Sequence, residues 1–155
     1  MPESLDPISR SITRNQPLRD QLSRMGVSGE ALLVLCGPDG SNLALSETTR
    51  RYFGPSANQM LGCGWVSAVH PDEQMAAADA WLKAVYDEAA YDLQLSYRRH
   101  DGSYHRFAVT GIRYVDADTC QTHWLVVLEP LRPTLPAAGP CGSTLSAGGG
   151  GPVRR

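Results

Sequence analysis

The sequence carries 4 cysteines, 4 histidines and several close pairs of acids, the side chains from which a reaction or a metal site would be built. Cys36, Cys63, Cys120 and Cys141 form no Cys-x-x-Cys pair and match no zinc spacing. A disulfide framework belongs to shorter secreted chains, so they read as small space-filling residues plus one thiol in the tail. His105 and His123 fall on candidate strands, where two imidazoles can share a metal. A third ligand is not evident, and both read as ordinary surface residues. An enzyme needs a nucleophile with its base, or two carboxylates converging in a cleft. Asp72 and Glu73 instead sit where a helix opens and its dipole favours acids. Asp87 and Glu88 mark a solvated helix end, and Asp116 and Asp118 a turn. The glycine run from Gly148 to Gly151 precedes no helix and is not a phosphate loop. The residues give no catalytic group and no metal ligand, so the chain is not expected to be an enzyme.

What must hold these side chains is a single folded unit. At 155 residues the chain has room for one ordinary domain, and 42% apolar residues are enough for a core. A formal charge of −2 and a pI near 6.0 leave no electrostatic footprint for nucleic acid or an anionic membrane. No stretch approaches the roughly 20 apolar residues that span a bilayer. Residues 1–20 lack the apolar run of a signal peptide. The expected location is the cytoplasm.

Met1–Arg14 shows no sustained period and reads as a loose lead-in. From Asn15 the pattern becomes helical: a cap, Pro17 in the first turn, then Leu18, Leu22 and Met25 on one stripe before Gly26. Ala31–Cys36 is an apolar strand ended by Gly37-Pro38-Asp39-Gly40, and Asn42–Leu45 pairs back with it. Ser46 caps a short helix that stops at Gly54, and two glycine-punctuated helical turns follow. His70-Pro71-Asp72-Glu73 opens the longest helix, where Met75, Ala78, Leu82 and Val85, flanked by Trp81, are expected on the buried face. Beyond it the period drops to two through Tyr91, Leu93, Leu95 and Tyr97. Tyr104–Ile112 returns after a turn, and His123–Leu128 is the last strand. In the turn, a three-residue loop with Gly102 left-handed sets Leu95 opposite Phe107 and Leu93 opposite Val109, matching apolar pairs. The domains are therefore 1–28, lead-in and amphipathic helix; 29–131, the folded core; and 132–155, a disordered Pro- and Gly-rich tail.

At this point the residues resemble a known family. Gly64-Trp65-Val66-Ser67-Ala68-Val69-His70-Pro71-Asp72-Glu73, Tyr97-Arg98-Arg99-His100-Asp101-Gly102-Ser103-Tyr104 and His123-Trp124-Leu125 stand in the order of the PAS subclass with a Trp and His-Pro-Asp at the long helix. The resemblance covers about residues 31–129. It implies an α+β fold: a PAS-like five-stranded antiparallel sheet with helices on one face, here with an N-terminal amphipathic helix. Three positions depart from the pattern. Arg106 stands where the family usually has Trp, and Thr119-Cys120 replaces an Asp-Gly turn. Glu129-Pro130-Leu131-Arg132-Pro133 replaces the usual exit into a helical linker.

The resemblance implies a sensory or regulatory module in signal transduction, acting by protein interaction and by sensing of a small apolar ligand. Flavin-binding relatives carry a sequence like Asn-Cys-Arg-Phe, which Cys63 lacks, and His70 has a helix-capping place that needs no haem, so no cofactor is implied. A ligand pocket would lie between the long helix and the sheet. Its candidates are Phe53, Trp65, Val69, Met75 and Leu82 from the helical layer, and Leu93, Leu95, Phe107 and Val109 from the sheet. The first and last strands are apolar on both faces, so an outer sheet patch needs a cover. Leu18, Leu22 and Met25 of the amphipathic helix, with Trp124 and Val126, are the candidates for a homodimer contact there. Alternative readings are a sensor fragment or partner of a two-component histidine kinase, and a small cone-shaped α+β enzyme of the ketosteroid-isomerase kind.

Overall fold

Side-chain caps start the first two helices. Asp6 accepts from the Ser9 N–H at 2.8 Å ahead of α1 (Pro7–Thr13), and Asn15 accepts from the Leu18 N–H at 3.0 Å ahead of α2 (Gln16–Met25). The computed structural model describes residues 6–131. The expected tail at 132–155, Cys141 and the proline-blocked exit beyond Leu131 lie outside the described residues. α1 corrects the expectation of a loose lead-in. Its 7 residues are too few to show a period, and its apolar pair Ile8 and Ile12 orders by packing on the sheet.

β1 (Leu32–Cys36) and β2 (Asn42–Leu45) form the first hairpin, and α3 (Glu47–Phe53) follows with Ser46 as cap. Short 3-10 turns at Gly54–Met60, Gly64–Ala68 and Pro71–Glu73 lead into α4 (Gln74–Asp87). β3 (Tyr91–Arg98), β4 (Tyr104–Val115) and β5 (Thr122–Pro130) complete a sheet of order β2-β1-β5-β4-β3, antiparallel throughout. The fold is the expected α+β one. No helix among the described residues is long and apolar enough to cross a membrane.

The β3–β4 hairpin has the expected register. The Arg99 N–H donates to the Ser103 carbonyl at 2.7 Å, Gly102 sits at φ 91°, and Leu95 faces Phe107 as Leu93 faces Val109. The central strands separate two cores. Leu32, Val34, Cys36, Trp124, Val126 and Leu128 point to the α4 side, while Leu35, Leu125 and Val127 point to the outer side. On that outer side Ile8 and Leu18 close over the strands, so α1 and α2 cover the chain's own sheet.

Candidate functional site

The space between the inner sheet face and the helical layer is where a ligand would sit. Beneath α4 it holds a cavity of about 30 Å³, room for a single water. Met60 and Trp65 from the 3-10 turns and Trp81 from α4 form its roof. Val34, Val109, Val126 and Leu128 form its floor, and Asn42, Tyr91 and Tyr97 its rim.

Small residues bring α4 close enough to fill the rest. Ala77 and Ala84 are buried against the sheet, and Trp81 lies between them on the same stripe. The Trp81 ring meets Tyr91 at 4.8 Å and Trp124 at 5.2 Å, both edge-on. Its Nε1–H donates to the Gly40 carbonyl at 2.9 Å, which ties α4 to the β1–β2 turn. Gly40 permits this approach: a Cβ there would stand 2.8 Å from Val85 Cγ2, on a backbone at φ 86°.

Asn42, Cys36, Tyr52 and Tyr91 are hydrogen-bonded within this layer. Asn42 Nδ2 donates to the Met60 carbonyl at 2.7 Å, and its Oδ1 accepts from the Cys36 thiol at 3.2 Å. The Tyr52 hydroxyl donates to the Tyr97 carbonyl at 2.7 Å, and the Tyr91 hydroxyl to the Ala77 carbonyl at 3.4 Å. Burial pushes the Cys36 thiol and the Tyr52, Tyr91 and Tyr97 phenols well up from their ordinary values, so all stay protonated near neutral pH. The chamber holds shape and apolar surface, with no ionised group in its wall.

Of the residues expected at a pocket, Trp65 and Val109 line this cavity. Phe53, Val69, Leu95 and Phe107 are packed into the surrounding core, and Leu93 lies half-buried at its edge. Met75 and Leu82 are corrections, being 79% and 65% exposed. α4 turns its largest apolar side chain, Trp81, to the sheet, and at 3.6 residues per turn Met75 and Leu82 then fall roughly 100–120° away. Eight further lining residues, among them Asn42, Met60, Trp81, Tyr91 and Tyr97, were not among those expected at the pocket. For Tyr91 and Tyr97 a signal existed, since the period-two pattern sets them on the Leu95 face.

Of the residues expected at a dimer contact, Leu18, Trp124 and Val126 are corrected, being buried within their own chain. Leu18 is only 1% exposed and closes its own sheet, with Leu22 and Met25 half-buried beside it. Trp124 and Val126 lie on the opposite face, because the indole needs the space beneath α4 where it meets Trp81. His123 is another correction: it is 8% exposed, under the N-terminal helices. His70 behaves as a capping residue, its Nδ1 accepting from the Asp72 N–H at 3.1 Å. Among the described residues no group of three or more His, Cys, Asp or Glu side chains could hold a metal ion.

Comparison with solved structures returns the same architecture. The PAS domain of the quorum-sensing receptor RpfR from Cronobacter turicensis, in complex with BDSF, aligns with a TM-score of 0.53 at 10% identity, covering 68% of this chain and 97% of that one. A PAS domain from Colwellia psychrerythraea gives a TM-score of 0.53 at 11% identity over 74% of this chain and 97% of its own. The Drosophila melanogaster Cycle PAS-B domain with bound ethylene glycol gives 0.51 at 12% identity over 64% of this chain and 99% of its own. No curated protein matches the sequence. The PAS fold family matches residues 42–128, more than half of the chain, and spans every residue lining the cavity except Val34 of β1. The chain belongs to the PAS-fold family.

Proposed function

We propose that this chain is a PAS-type regulatory module that acts by docking on a signalling partner through the outward face of α4. The observation that carries the reading is that stripe. Met75, Leu82 and Tyr86 are 79%, 65% and 90% exposed and recur at helical spacing over a core that is already filled. Asp72 and Asp79 stand beside it and Asp87 pairs with Lys83 at 3.5 Å, so its border is mixed in charge and the partner surface is chiefly apolar. No catalysis is assigned to the module, which would influence a partner's output by being bound or released.

A second reading, sensing of a small apolar ligand in the interior, is supported by RpfR, whose PAS domain was solved with BDSF and with C12:0. Native mass spectrometry of the purified protein separates the two. The docking reading expects bare protein, and a stoichiometric small molecule would transfer the case to sensing. Replacing Met75, Leu82 and Tyr86 together by Asp is expected to leave the melting temperature within about 2 °C, because exposed sites contribute little stability. The same variant is expected to lose the partner recovered with wild type by crosslinking. Retention of every partner by a folded triple variant overturns the reading.

A further inference from the structure

The tip of the β3–β4 hairpin and the 3-10 turns that follow α3 enclose a surface cleft of about 130 Å³. The hairpin supplies Arg98, Arg99, His100 and Gly102. The turns Gly54–Met60 and Gly64–Ala68 supply Ser56, Gln59 and Ser67, with buried Met60 and Ala68 behind them.

Contacts between distant residues hold the two sides in place. The His100 N–H donates to the Tyr52 carbonyl at 3.0 Å, and its side chain packs on Gly54. A Cβ at Gly54 would stand 2.8 Å from the His100 Cβ, on a backbone at φ 66°. On the other side Arg98 Nη1 donates to the Ser67 carbonyl at 3.3 Å, and Val69 bridges to Tyr97. The cleft is thus framed by fastened backbone.

Its charged lining is Arg98, Arg99 and His100, with no carboxylate among them. Arg98 uses one of its five N–H donors, and on a neutral carbonyl. The Arg99 guanidinium makes no hydrogen bond or ion pair with any described residue. Asp101, next in the turn, is outside the wall and accepts from the Ser103 N–H at 3.0 Å and the Ser103 hydroxyl at 2.6 Å. Those bonds are the first cause of its lowered pKa, and the charges of Arg99 and His100 are lesser ones. Counting Asp101 against them, Arg98 and Arg99 still leave a net positive charge. The Ser56 and Ser67 hydroxyls already donate, to the Phe53 and Gly64 carbonyls at 3.1 and 2.8 Å. The Gln59 side-chain amide has no partner among the described residues and adds a free donor. All these polar side chains are exposed, so an anion reaches them from solvent.

Guanidinium forks match the oxygens of a phosphate group and hold it by paired, charge-assisted hydrogen bonds. The cleft has about four times a water's share of liquid volume, which suits one tetrahedral group and little more. We propose that this cleft binds a single phosphate group, free or carried on a small monoester, between the Arg98 and Arg99 guanidiniums and the Gln59 amide. A bound phosphate ties the hairpin tip to the 3-10 turns. Met75, Leu82 and Tyr86 line no part of the cleft, so the site stands apart from docking on α4.

The test titrates the full chain near neutral pH with inorganic phosphate, phenyl phosphate and acetate, at ionic strength matched with chloride. Amide NMR shifts at Ser67, Arg99, His100 and Gly102 are expected to saturate with both phosphates, at a dissociation constant on the order of 1 mM. Tighter phenyl phosphate assigns the site to a monoester, and equal affinity to free phosphate. Acetate and chloride are expected to produce no saturation. Replacing Arg98 and Arg99 together by Gln should weaken phosphate about tenfold or more. Gln59→Glu, which sets a carboxylate in the wall, should do so independently. These positions are exposed, so both variants should melt within about 2 °C of wild type. Arg113→Gln, which removes a charge paired with Glu88 outside the cleft, should leave binding unchanged. Shifts that fail to saturate by about 20 mM, full binding by either folded cleft variant, or equal weakening by Arg113→Gln overturns the proposal.

Discussion

Glu73 does two things at once, and only one of them is local. As part of the turn Pro71–Glu73 it favours the start of α4. Its carboxylate also reaches the sheet, with Oε1 accepting from the Ser96 N–H at 2.8 Å and Oε2 pairing with Arg106 at 2.7 Å. Arg106, at the position where the family usually has Trp, thus joins β4 to the mouth of α4. Partial burial opposes ionisation of Glu73, but the hydrogen bonds from Arg106 and Ser96, with the Arg106 charge, outweigh it and hold the pKa below the ordinary value. A folded-state pKa below the unfolded one means stability that is present above roughly pH 4.3, the ordinary Glu value, and lost as pH falls through the folded value. Glu73→Gln is therefore expected to flatten the acid limb of a melting-temperature profile below about pH 4.3. At neutral pH it should cost about 1 kcal/mol or less, since Arg106 and Glu73 are both partly solvated. An acid limb as steep as that of wild type would remove Glu73 from the linkage.

Local rules decide some elements and long-range packing decides others, and the division follows where the determining contacts lie. The β3–β4 register is set by neighbours in sequence: the turn at Gly102 and the alternation Leu93, Leu95 against Phe107, Val109. The caps Asn15 and Ser46 are equally local, and α2 and α3 start where the sequence puts them. The buried face of α4 is not local. Its sequence offers two apolar stripes, and the choice falls to Trp81 because Tyr91, Trp124 and the Gly40 carbonyl, all distant in sequence, surround the indole. The facing of β5 is settled in the same way, for both of its faces are apolar and only the tertiary partner distinguishes them. The cover that α1 shares with α2 over Tyr114 could not be read in full from the sequence, because α1 itself shows no period. Leu18 tests the cover these helices form. Leu18→Ala should cost about 2–5 kcal/mol in urea denaturation and raise binding of an apolar dye, as a fully buried Leu lost from a core does. Its sedimentation coefficient should not change, because Leu18 packs within its own chain. A loss below about 1 kcal/mol would mean that the outer strands are closed by something else.

The whole molecule is a sheet with both faces closed. α1 and α2 shut one side, α3, the 3-10 turns and α4 the other, and among the described residues the three most exposed large apolar side chains, Met75, Leu82 and Tyr86, all stand on α4, with Leu43 and Val115 exposed elsewhere. The filling depends on Met60, an unbranched side chain that roofs the remaining 30 Å³ and whose carbonyl accepts from Asn42 at 2.7 Å. Met60→Ala leaves that backbone hydrogen bond in place and removes side-chain volume, so the small void should enlarge into an apolar cavity. The expected cost is about 2–5 kcal/mol, with the upper end reached if the 3-10 turns cannot settle inward. An enlarged apolar void takes up xenon or benzene, so xenon-induced NMR shifts should appear at Val34, Val109 and Leu128 in the variant. Wild type should show none, since a space of 30 Å³ admits a water and not a xenon atom. Equal xenon shifts in wild type would mean that the interior opens readily in solution, and the balance would then move from docking to ligand sensing.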